Sequence, residues 1–167
     1  MIRRAVLTVT AVAAALVAAG GASADPQVRA AAACTTNDVS LGFDGQENTA
    51  GTRVEQFSYE KVGSGRCSMK GFAKVELLRK SGAAYSIKVR RSHQRPVKTV
   101  GLRKGKPIAF ELTHPNAEPG SGKTCKNRVH GFRVKAPGIE NPLTLKLSSP
   151  IHFCEKGAKR TALHRKR

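Results

Sequence analysis

The side chains of this 167-residue chain that could do chemistry are four cysteines, five histidines, eleven carboxylates and thirty lysines and arginines. The cysteines, Cys34, Cys67, Cys125 and Cys154, are separated by 33, 58 and 29 positions. Zinc sites draw their ligand pairs from residues about two to four apart. His152 lies two before Cys154, but no second close pair completes a site. A redox-active dithiol also needs two neighbouring cysteines, and none are neighbours. An even set in an oxidising compartment points instead to two structural disulfides. Spacing leaves three pairings open. The sequential one, Cys34–Cys67 with Cys125–Cys154, closes the two shortest loops, each link stabilising by roughly 3.5 kcal/mol in the chain-entropy model.

Other catalytic patterns fail on context. Ala117-Glu-Pro-Gly-Ser-Gly-Lys123-Thr124 is a relaxed phosphate-loop match, but that chemistry needs a helix to follow at once. Here Cys125 and a strand-like stretch, Arg128–Lys135, come next. Gly63-Ser64-Gly65 and Gly120-Ser121-Gly122 lack nucleophile-elbow spacing. His93, His114, His130, His152 and His164 are scattered, with no His-x3-His pair for a metal. His130 shares strand parity with Phe132 and Val134, as a core or edge histidine does. Two carboxylates converging in space could hydrolyse a glycoside, but no pair is recognisable in sequence. The expectation is a non-catalytic protein without cofactor or metal.

Charge is more informative. The formal net charge is +19. Between Glu76 and Glu111 there is no acid but ten cations, among them Arg79, Lys80, Lys88, Arg90, Arg91, Arg95 and Lys98. Lys156, Lys159, Arg160, Arg165, Lys166 and Arg167 follow near the C-terminus against Glu155 alone. Such a field attracts polyanions by releasing their counterions, or simply keeps an exported protein soluble. With eight Phe and Tyr and no Trp, a base-stacking platform for nucleic-acid reading is disfavoured.

The positioning elements begin after an export signal. Arg3 and Arg4 precede a charge-free apolar stretch, Ala5–Val17, and then Ala22-Ser23-Ala24, the three parts of a secretory signal. The stretch is shorter than the ~20 residues a membrane helix needs. Asp25, Pro26 and Arg29 separate it from Cys34, which disfavours lipidation there. Cleavage after Ala24 takes two arginines and leaves +17 on 143 residues. That length suits one domain. The expected organisation is a signal peptide over 1–24, a flexible lead-in over 25–33, a β-domain over 34–155 and a basic tail over 156–167. No later stretch could span a membrane, so the expected product is secreted or wall-associated, and monomeric.

Within the domain, apolar and polar residues alternate with period two at Val39–Phe43, Tyr85–Val89, Ile108–Thr113 and Leu143–Leu147. Arg53–Val62, Lys74–Arg79, Val97–Leu102, Arg128–Lys135 and Ile151–Cys154 are further strand candidates. Lys80-Ser81-Gly82 and Lys104-Gly105 supply turns. Eight or nine short strands imply an antiparallel sandwich or barrel. If Tyr85–Arg91 and Val97–Leu102 pair, much of the positive charge shares one face.

The series Cys34, Cys67-x3-Gly71-Phe72, Val100-Gly101-Leu102-x2-Gly105, Cys125, Pro137-Gly138 and Cys154 resembles the actinobacterial secreted proteins grouped as domain of unknown function 4232. The likeness spans most of the region after the signal. It implies an immunoglobulin-like β-sandwich with sequential disulfides and no assigned activity. The resulting functional expectation is a secreted sandwich that binds a polyanion, such as a wall polymer, acidic lipid or extracellular nucleic acid, through Arg79, Lys88, Arg90, Arg91, Arg95 and Lys98. The alternative is a protein-binding module, such as a hydrolase inhibitor, presenting Gly63–Arg66 and His114–Lys123.

Overall fold

The computed structural model describes residues 31–117, 120 and 122–166. The expected signal peptide, 1–24, lies outside them. Eleven strands follow a single 3-10 turn, Thr36–Asp38: β1 (Val39–Thr49), β2 (Thr52–Lys61), β3 (Arg66–Lys70), β4 (Lys74–Leu78), β5 (Arg90–Arg91), β6 (Thr99–Arg103), β7 (Ile108–Pro115), β8 (Asn127–Lys135), β9 (Leu143–Phe153), β10 (Lys159–Arg160) and β11 (His164–Arg165). Among the described residues the fold is all-β, and every strand pairing is antiparallel except the short β5–β10 pair.

The larger sheet runs β1-β2-β7-β10-β5, with β11 also paired to β7; the second runs β4-β8-β9, and β3 and β6 form a separate ribbon. Alternation puts one face of each sheet inward. Phe43, Phe57 and Phe110 are register partners across β1, β2 and β7, and Phe57 stacks on Phe110 at 4.9 Å between ring centres. From the opposite sheet, Phe132 meets Phe57 edge-on at 4.8 Å. This aromatic junction joins the two layers, and aromatic pairs in such geometry add about 0.5–1.5 kcal/mol beyond burial. Leu77, Leu102, Ile108, Leu112 and Phe153 complete the enclosed interior.

Two inward positions are polar. Glu55 and His114 continue the inward rows of β2 and β7, and both are fully buried. His114 Nε2 lies 3.3 Å from Glu55 Oε1, Nδ1–H donates to Pro115 O at 2.8 Å, and the ring packs 4.1 Å from Phe153.

Cys34–Cys67 and Cys125–Cys154 are disulfides, the sequential pairing that the family resemblance implies. The four sulfurs that a zinc site would need are therefore committed.

Several local expectations change. Of the segment read as a tail, 156–167, the described residues 156–166 are part of the sandwich: β10 and β11 pair with β7, and Ala158, Thr161, Ala162 and Leu163 are buried. Ala158 and Leu163 join the hydrophobic core, which the surrounding cations obscured in sequence. Of the flexible lead-in, residues 31–33 are tied to β3, with Ser68 N–H donating to Ala32 O at 2.8 Å and Ser68 Oγ to Ala31 O at 3.0 Å. Leu143–Leu147 and Ile151–Cys154 merge into the single long β9. Tyr85–Val89 makes no strand ladder, and only Arg90–Arg91 pairs. A bulge between Val129 and Gly131 breaks the parity assumed for His130.

Candidate anion-binding groove

Tyr85–Arg91 and Val97–Leu102 are not neighbours. β5 pairs with β10, and β6 pairs with β3. The six cations expected to form one surface are consequently dispersed. Arg79 stands at the end of β4. Lys88 is exposed on the unpaired stretch before β5, and Lys98 is exposed just before β6. Arg95 is tied to Glu111 at 3.2 Å. That carboxylate also faces His164 at 3.6 Å, so charge on the outer face of the larger sheet is compensated.

Arg90 and Arg91 meet two cations from the C-terminal segment, because parallel register sets Arg90 beside Lys159 and Arg91 beside Arg160. Arg160 is half-buried, its guanidinium donating to Val89 O. Burial, then the neighbouring Arg91 charge, lowers its pKa.

The denser cluster lies on the outer face of β4-β8-β9. Leu77, Phe132 and Leu145 face inward, which turns the alternate row, Glu76, Arg133 and Thr144, outward. Next along that outer face come Leu78, Gly131 and Lys146. At Gly131 the floor has no side chain, and a Cβ built there would lie 2.5 Å from Leu145 O. The result is a groove of about 350 Å³ lined by Arg79, Lys80, His130, Arg133 and Lys146, with Ser81 and Thr144 hydroxyls and no carboxylate in its wall.

One wall is the turn after β4. Arg79 N–H donates to Ala83 O at 2.9 Å and Gly82 N–H to Arg79 O at 3.0 Å, and Gly82 takes φ +82°, which only glycine adopts without strain. Tyr85 clamps this turn: its ring lies 4.1 Å under the Arg79 guanidinium, and its hydroxyl donates to Arg128 O at 2.8 Å. Glu76, in register with Arg133 on the same outer row, pairs with Arg133 at 3.1 Å and Lys74 at 3.8 Å. Lys80 and Lys146 have no carboxylate partner among the described residues.

Of the six cations expected at a binding surface, Arg79 alone lines this groove. Lys146 was visible as an outward residue between Leu145 and Leu147. Its meeting with Lys80, 66 positions earlier, depends on β4 and β9 flanking β8. The phosphate-loop match lies partly outside the described residues, and the element following it is strand β8 rather than a helix. Of the segments offered for protein binding, Gly63–Gly65 is an exposed turn, while His114 is buried.

A family model described as a domain of unknown function, DUF4232, matches residues 34–163. The chain belongs to this family. The DUF4232 match runs from the first cysteine past β10 to Leu163, so it includes the segment first read as a tail. It also contains every residue of the groove. Among curated proteins and among solved structures, nothing matches this DUF4232 chain. Within the described residues, no helix is long and apolar enough to cross a membrane.

Proposed function

We propose that this DUF4232 domain acts outside the cytoplasm as a non-catalytic binding protein for a polyanion, seated in the groove on β4-β8-β9. The supporting observation is the lining itself: Arg79, Lys80, Lys146 and the Glu76-paired Arg133, with an imidazole, surround one depression that has no carboxylate in its wall. Concentrating like charge in one wall costs self-repulsion, which an anion relieves while its counterions are released. Arg90, Arg91 and Lys159 form a second contact for a long ligand. The two disulfides support a location outside the reducing interior.

The test is retention on phosphocellulose as salt rises from ~50 to ~200 mM, the range over which phosphate contacts weaken steeply. The double variant Lys80→Glu/Lys146→Glu should elute at clearly lower salt than Lys70→Glu/Lys104→Glu, which makes the same charge change outside the groove. Equal elution of the two variants would reduce the groove to a solvated surface.

A further inference from the structure

The groove's shape and chemistry narrow the ligand class, and this step rests on the polyanion reading above. We propose that it holds a phosphodiester chain whose repeating unit is a non-aromatic polyol, lying lengthwise along β8.

Neighbouring strands stand about 4.8 Å apart, so the β4 and β9 walls are separated by roughly 10 Å. That span takes a single chain and no duplex. Donors approach from three directions: Arg79 and Lys80 from the turn, His130 and Arg133 from the floor strand, and Lys146 with the Thr144 hydroxyl from β9. A tetrahedral phosphate offers oxygens to donors on several sides at once, whereas a planar carboxylate accepts mainly in its own plane. Gly131 contributes only backbone to the floor, where β8 and β9 approach closely.

The lining contains no Phe, Tyr or Trp, and its single ring is the His130 imidazole. Tyr85, behind the turn, is occupied beneath Arg79. Single-stranded nucleic acids are held through stacking of successive bases on exposed rings. One imidazole offers no run of stacking surfaces for successive bases, so the phosphates are gripped and the units between them are left unread. Half-buried Leu147, near the Ser81 and Thr144 hydroxyls of the same lining, gives those units a small apolar surface suited to a short polyol.

The experiment measures binding of the oxidised protein to three labelled chains of equal charge: poly(glycerol phosphate), polyglutamate and oligo(dT). Anisotropy at fixed salt should show poly(glycerol phosphate) bound at least fivefold more tightly than either of the others. Lys80→Glu/Lys146→Glu should weaken that binding at least tenfold, and Lys70→Glu/Lys104→Glu by no more than about twofold. If all three chains bind alike and all lose affinity in the groove variant, the phosphodiester assignment falls and the polyanion reading stands. Tighter binding of oligo(dT) or polyglutamate also overturns the assignment. If no chain responds to the groove variant, both fall.

Discussion

His114 Nε2 lies 3.3 Å from Glu55 Oε1, and neither side chain has any exposure to solvent. The second carboxylate oxygen, Oε2, has no hydrogen-bond partner. The pair therefore sits between β2 and β7 as a local conflict with the apolar core, tolerated because each member satisfies part of the other.

Breaking it from one side should be costly. Glu55→Leu or His114→Leu alone strands a buried polar partner, and each should lower unfolding free energy by about 3–5 kcal/mol. The double replacement removes both polar groups and should cost far less than the sum. Urea unfolding of the four proteins provides the cycle; strictly additive costs would show that the pair is not coupled.

Tyr59 presents a different imbalance. Its ring is fully enclosed and its hydroxyl has no partner, and burial raises its pKa well above the usual phenol range. Tyr59→Phe should thus stabilise the protein by about 1 kcal/mol at neutral pH. Because the folded state holds this proton more tightly, the contribution is intact below the unfolded value near pH 10 and falls as pH rises beyond it. The alkaline loss in wild type, up to about 1.4 kcal/mol per pH unit from this group, should be absent from the phenylalanine variant in a series of denaturant midpoints.

Asp38 works at the acid end. Lys61 Nζ donates to its Oδ1 at 2.8 Å, and the Thr35 hydroxyl and N–H donate to Oδ2 at 2.7 and 2.8 Å. The Lys61 contact first, then those from Thr35, hold this carboxyl well below the ordinary carboxylate range. A lowered folded pKa gives stability that is present above about pH 4 and lost as pH falls further. Asp38→Asn should be less stable at pH 7, leaving the enclosed Lys61 ammonium without its counter-charge, and should show a flatter acid limb. An unchanged acid limb in thermal melts between pH 4 and pH 2 would contradict this.

Two glycines in strands should respond oppositely to a methyl group. At Gly131 the new Cβ meets Leu145 O at 2.5 Å, a backbone atom that cannot rotate away. Gly131→Ala should cost about 2–3 kcal/mol through a shifted β8–β9 ladder. Gly101 on β6 has nothing within 4 Å of the same position. Gly101→Ala should be neutral or stabilising by up to about 1 kcal/mol. Thermal midpoints of the two variants make the comparison.

Much of this architecture was legible in the residues alone. Period-two alternation located the start of β1 and most of β2, β4, β7, β8 and β9, because a strand's inward and outward rows are a local property of the backbone. Glu55 and His114 follow the same rule despite their polarity: parity with Phe57 and Leu112 puts them inside, because a strand cannot turn one residue without turning its neighbours. β10 and β11 were hidden because two-residue pairings leave no pattern to detect, and the cations around Ala158 and Leu163 looked like a solvated tail.

Composition and order of residues by themselves determined an all-β chain, cysteines suited to disulfides and an excess of positive charge. Tertiary structure alone decided where that charge gathers. Alternation states which way a side chain points but not which strand lies beside it, since adjacency depends on loop closure and on the match of distant inward faces. Arg79, His130 and Lys146 come together because β8 lies between β4 and β9, and the same sorting carried Arg95 away to Glu111 on the other sheet.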